Sequence, residues 1–304
     1  MEATPAFLYN YEAAAPLPNP YDVDAKLFVD TIFINEGIQL TTAEIFAVNN
    51  LVLRMKGLDA TYSNFGDATI WNERILFCPN VGNSLNATKY NLFNPLGWQQ
   101  TYANGPTIDA GFGVKGNGVN SVILSGVSQR DYKNAIGPVI DTQNGLIGCI
   151  YKDNITTSRM DFGNYGTSPS IDANLWLRAT DGTNISVAGR AYTLNDVISS
   201  PPTSVNGNWA IQMQNGLPNR GKYYYNGTLI HISNGANPRT IASEMAAPVG
   251  QFYFLALNLN NGIIVNSTAN TAISYYVLGD IGALITPFNL MVDAFCAETN
   301  RKTW

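Results

Sequence analysis

The chain has 304 residues and a formal net charge of −5, and only 13% of it is charged, about half the usual share. A unit of this size buries about three quarters of the surface its unfolded chain exposes, so a core forms without disulfide staples. The acidic balance, with no basic run, speaks against nucleic-acid binding, and no apolar run approaches the ~18 residues of a membrane span.

Residues 1–20 carry Pro5, Pro16, Pro18 and Pro20 around an aromatic stretch with Phe7, Tyr9 and Tyr11. They lack the positive and apolar regions of a signal peptide, and the composition predicts an extended arm without a core of its own. The expectation is an attachment arm whose Phe7, Tyr9 and Tyr11 contact other subunits. Residues 21–66 read as a helical preface. The clearest helix spans 40–57: Thr41 and Glu44 form a capping-box pattern, and Gly57 supplies a C-terminal stop. Ile45, Val48, Val52 and Met55 recur on one face, and that face is expected to engage the body of the domain or a neighbouring subunit.

From about residue 67 the pattern turns to strands. They are predicted at 110–114, 121–125, 146–151, 158–162, 173–179, 209–214, 222–225, 228–232, 252–259 and 272–278, separated by turn-rich segments. Lys115, Gly116, Asn117, Gly118, Val119 and Asn120 predict a sharp reversal joining the first two, since glycine and asparagine tolerate φ > 0. Asn226 and Gly227 predict a type I′ hairpin. Thr286 and Pro287 open a last helix, with Phe288, Met291, Val292 and Phe295 on its inner face. Many strands without βαβ alternation predict a mainly β domain over 67–304, an antiparallel two-sheet jelly-roll sandwich with the helices as accessories.

Most catalytic and metal-binding signatures are missing from the sequence. Cys78, Cys149 and Cys296 stand far apart without C-x-x-C spacing and read as buried free thiols. The five N-x-S/T sequons read as chance in an Asn- and Thr-rich chain. His231 is the single histidine, so neither a triad nor a multi-histidine metal site is expected. No EF-hand-like run is present, so no metal and no cofactor is expected. Residues 111–116 echo G-x-G-x-x-G, but no helix pattern follows, and the dinucleotide reading fails. Retaining glucanases place two carboxylates on one strand about 5–5.5 Å apart. The glutamates here are isolated, so the chain is expected not to be an enzyme.

One binding candidate comes from strand alternation. In 173–179, Asn174, Trp176 and Arg178 share one face, and Asp161, with Arg159, and Gln212 lie on outward faces of their own strands. An indole flanked by an amide and a guanidinium can stack on a sugar and hydrogen-bond its hydroxyls.

The order of pieces is also specific. Residues 24–28 (DAKLF), the capped helix, 90–96 (YNLFNPL), the Gly116–Asn120 turn, 150–154 (IYKDN), 223–227 (YYYNG) and 278–280 (LGD) follow one another. Over residues 21–302 the chain resembles phage tail and virion proteins with a concanavalin A-like, laminin-G-like lectin/glucanase jelly roll. The resemblance implies a structural virion component at a fibre, tail or capsid-decoration position. It implies a homo-oligomer partnered by other virion proteins and made in the host cytoplasm, with recognition of host-surface glycans as the alternative and a divergent glycoside hydrolase as a further one.

Overall fold

The computed structural model describes residues 21–57, 71, 74–126, 145–152, 159–160, 162–165, 178–179, 188–191, 194–197, 206–213, 221–232, 253–254, 256–259, 262–266, 270–278 and 285–301. Two helices come first. α1 (Val23–Glu36) starts at Asp22, whose side chain accepts from the Asp24 N–H, and ends at Gly37 with φ +67°. α2 (Thr42–Met55) has the predicted capping box: Thr41 Oγ1 accepts from the Glu44 N–H at 3.2 Å, and Glu44 Oε2 accepts from the Thr41 N–H at 3.0 Å.

Among the described residues the strands then form two large sheets and two short ribbons. β1 (Arg74–Cys78) precedes a one-turn helix α3 (Leu85–Thr88), and β2 (Thr101–Ala103), β3 (Thr107–Asp109), β4 (Gly113–Lys115) and β5 (Val122–Leu124) follow closely. Next come β6 (Gly145–Lys152), β7 (Arg159–Met160), β8 (Phe162–Tyr165), β9 (Arg178–Ala179), β10 (Ala188–Ala191) and β11 (Leu194–Val197). β12 (Gly207–Met213), β13 (Gly221–Tyr225), β14 (Thr228–Ile232), β15 (Tyr253–Phe254), β16 (Ala256–Leu259), β17 (Gly262–Asn266) and β18 (Asn270–Leu278) complete the set before helix α4 (Ile285–Glu298). One sheet has the order β14-β13-β12-β6-β18-β4-β3, and β1 shares the outer edge of β18 with β4. The other has the order β17-β16-β8-β15-β5-β2, with β16 and β8 parallel and the remaining pairs antiparallel. β7–β9 and β10–β11 form separate two-stranded ribbons. The chain is mainly β, with helices at both ends of the described sequence.

The main core among the described residues joins helices and sheet. Phe28 and Ile32 of α1, Val48, Leu51 and Val52 of α2, Phe77 of β1, and Phe288, Met291 and Phe295 of α4 pack with Ala210 of β12 and Tyr224 of β13. Ala210 and Tyr224 are cross-strand partners, so one face of this sheet lies under the helices. Their neighbours Trp209 and Tyr223 point the other way and are also buried. The helical preface and the β region therefore pack as one body where both are described.

Two turns test the local reading. Asn226 and Gly227 join β13 to β14 with φ of +48° and +75°, as the type I′ expectation requires. A Cβ on Gly227 would sit 2.8 Å from that of Asn289, so α4 packs directly onto this turn. The other turn differs from its prediction. β4 pairs with β3 and β18, whereas β5 pairs with β2 and β15 in the second sheet. Gly116–Asn120 is therefore a crossing between sheets, not a hairpin.

The reason is visible in that loop. Asn117 Oδ1 accepts from the N–H groups of Val119, Asn120 and Ser121 at 2.9, 2.9 and 3.0 Å, and Nδ2 donates to the Asn104 carbonyl at 2.9 Å. Side-chain capping satisfies the backbone without a ladder partner, which frees each strand for a different sheet.

Candidate functional site

The structure places few of the sequence candidates together. Asn174, Trp176 and Asp161 lie outside the described residues, as do Phe7, Tyr9 and Tyr11. Arg178 sits in β9 opposite Met160, and Arg159 sits in β7 opposite Ala179, so the two arginines occupy one short antiparallel ribbon. Gln212 corrects its expectation. It is fully buried, and the Tyr224 hydroxyl donates to its Oε1 at 3.1 Å, so it faces the interior and not an open surface.

Ile45, Val48 and Val52 are corrected in the same sense. All three are buried in the core shared with α1, α4 and the sheet, which covers the face that could have met a neighbouring subunit. The expectation that this helix packs on the body of the domain holds.

Charged groups gather instead where the helices meet the loops. Lys56, just past α2, pairs with Asp22 Oδ1 at 2.6 Å and Asp24 Oδ2 at 2.5 Å, and lies 4.9 Å over the Trp71 ring. Arg54 Nη2 pairs with Glu298 Oε1 at 2.5 Å, tying α2 to α4. Glu44 of the capping box also accepts from the Gly82 N–H at 2.8 Å and faces Arg301 Nη2 at 3.4 Å. Burial pulls the Arg301 guanidinium down from its usual range, while the Glu44 carboxylate holds it up. These groups are 244 to 257 residues apart in sequence for the two arginine–glutamate pairs, and no short-range pattern announces them.

Among the described residues, the nearest approach to an acid–base cluster is Glu36, Lys89 and Tyr90. Glu36 Oε1 accepts from Lys89 Nζ and from the Tyr90 hydroxyl, both at 2.7 Å. Hydrogen bonds from Lys89 and Tyr90 hold the Glu36 carboxyl below its ordinary value, and burial, with Glu36, pushes the Tyr90 phenol up. A nucleophilic phenol needs the opposite shift. The cluster acts as a tie between the end of α1 and the segment after α3, with Tyr90 as a neutral donor.

That tie predicts a pH dependence. A carboxyl whose folded value is depressed stabilises the fold above the ordinary glutamate range of about 4–5 and loses that contribution as pH falls through the folded value. Wild type is expected to be more stable than Lys89→Met at pH 7, with the gap closing on acidification below about pH 4.5. Urea midpoints at pH 7 and pH 3 check this, and an unchanged gap at pH 3 contradicts it.

Two further groups are inert by burial. The Cys78 thiol and the Tyr102 phenol are both pushed well up by desolvation, beside a knot in which Gln100 Nε2 lies 2.8 Å from Asn80 Oδ1, the Thr88 carbonyl and the Tyr102 hydroxyl. A thiol held protonated is neither a nucleophile nor a ready metal ligand. Among the described residues no three His, Cys, Asp or Glu side chains converge as a metal site, and no helix is long and apolar enough to cross a membrane.

No family model matches the chain, and no curated protein matches it. Solved structures do. A mutant of Trypanosoma rangeli sialidase displaying trans-sialidase activity superposes over 86% of this chain with a TM-score of 0.55 at 11% identity. A carbohydrate-binding module of a Ruminococcus gnavus sialidase, bound to sialyllactose, covers 48% of this chain and 81% of its own, at TM-score 0.34 and 12% identity. A structure concerning ganglioside-dependent cell entry of botulinum neurotoxin type C covers 74% of this chain and 52% of its own, at 0.45 and 11%. The last two likenesses are too loose to bear on this chain. None of the three speaks to a virion role.

The sialidase likeness corrects one expectation. The chain was expected not to be an enzyme because paired carboxylates are missing, but sialidases work through a tyrosine nucleophile, so that test does not reach them. Their fold is the one this chain matches best among the three, and the exclusion of glycosidase chemistry falls with it. The chain spans 39% of that sialidase's length. At 11% identity it is similar to part of the sialidase chain in fold, and that mainly β fold is what the comparisons establish.

Proposed function

We propose that this chain binds carbohydrate, and that its two sheets are the halves of a concanavalin A-like jelly roll. One observation carries the reading: 86% of the chain follows the fold of a sialidase chain. The composition agrees, because a chain rich in amides and hydroxyls and poor in charge suits hydrogen bonding to sugar hydroxyls. Asn174, Trp176, Arg178 and Asp161 are the proposed contacts, and Gln212 is not among them because it is buried. The virion setting, which rests on the sequence resemblance alone, makes host-surface glycans the natural ligands.

The test is a glycan array of sialylated and neutral oligosaccharides with the full chain, followed by titration of the best ligand. Binding is expected, with Trp176→Ala weakening it about tenfold through loss of a stacking contact of about 1–1.5 kcal/mol. No binding to any glycan sinks the proposal. Sugar released during the same incubation separates turnover from binding alone.

A further inference from the structure

α1 is apolar on two sides. Ala25, Phe28 and Ile32 face the core and are 0–1% exposed, while Val23, Leu27 and Ile34 are 74%, 47% and 74% exposed. On a helix these last three fall within one narrow stripe, since residues four and seven apart stack on one face. Asp30 lies in the same stripe and pairs with Lys26 at its flank. Single exposed apolar residues are ordinary, but three on one stripe form a patch, and a helix that is apolar all round is normally covered on both sides.

The chain itself supplies a cover. Residues 1–20 join directly at Tyr21, one residue before the Asp22 cap of α1. Twenty residues reach about 66 Å when extended, and the 14-residue helix is about 21 Å long. The segment can therefore turn back and run the length of α1. It carries Phe7, Leu8, Tyr9 and Tyr11, and it contains no Lys or Arg. Its prolines restrict the free chain, which lowers the entropy lost on docking, and the tether holds the segment at an effective concentration of the order of millimolar.

We propose that residues 7–11 of this same chain dock on the outer face of α1, with Phe7, Tyr9 and Tyr11 covering Val23, Leu27 and Ile34. The arm is then a latch on its own helix, and the aromatic residues are unavailable to other subunits while it is closed.

Thiol labelling of the full-length chain tests this. Ile34→Cys puts a thiol on the stripe, and Val119→Cys puts one on an exposed loop outside α1; each is read on its own peptide by mass spectrometry. With the native arm, the thiol introduced by Ile34→Cys is expected to label about tenfold more slowly than in the same chain carrying Phe7→Ser, Tyr9→Ser and Tyr11→Ser. The thiol introduced by Val119→Cys is expected to label equally in both. An equal rate at the stripe overturns the latch, and so does a rise at both sites, which reports general loosening. Protection that grows with protein concentration, together with a dimer mass by light scattering, places a second copy on α1 and also overturns it.

Discussion

Arg301→Ala is expected to lower stability by about 3–5 kcal/mol, the loss seen when one partner of a buried ion pair is removed. Arg301 is buried just beyond α4. Its Nη1 donates to the carbonyls of Pro79 and Asn80 at 3.0 and 2.7 Å, and its Nη2 faces Glu44 Oε1 at 3.4 Å. Deleting the side chain leaves two buried carbonyls short of a donor and Glu44 short of its counter-charge. The effect spreads because Glu44 also caps α2 and holds the Gly82 N–H.

Urea unfolding checks this, with a fall in midpoint at unchanged slope as the expected signature. Arg301→Lys should recover only part of the loss, since an ammonium cannot span three acceptors as the guanidinium fork does. A loss below 1 kcal/mol in Arg301→Ala shows that the pair is not structural.

Phe77→Ala is expected to cost a similar 3–5 kcal/mol, from lost transfer energy plus the cavity left behind. Phe77 is fully buried in β1. Its ring meets Phe93 edge-on at 6.0 Å and Phe288 of α4 edge-on at 6.4 Å. One side chain thus links the eight-stranded sheet, the segment after α3 and the last helix. Leu290→Ala, on the exposed side of α4, is the matched control and should change stability by no more than about 0.5 kcal/mol. Equal effects at the two positions contradict the shared core.

The candidate site was legible in the sequence only in part, because alternation assigns faces along a strand without saying what lies opposite them. Gln212 shows this. Its parity along β12 follows from the strand, yet its burial follows from Tyr224 on the next strand and from the helices on that face. The face of Ile45, Val48 and Val52 was readable as apolar from its spacing, but whether it met this chain or another depended on where α4 returned. α1 was harder still: with apolar residues on both sides it lacks the one-sided stripe that marks an amphipathic helix, so its 14 residues gave little periodic signal.

What the sequence alone determined is what neighbouring residues decide among themselves. Thr41 and Glu44 close the α2 cap within one turn, Asn226 and Gly227 accept the positive φ of a tight hairpin, and the turn-rich strands set a mainly β class. Only the tertiary structure decided which strands pair, that β4 and β5 part into different sheets around Asn117, and that Arg301 finds Glu44 across 257 residues. The division has a physical cause. Caps and turns are settled by contacts within a few residues, whereas strand partners and buried charges are chosen by packing between segments far apart in the chain.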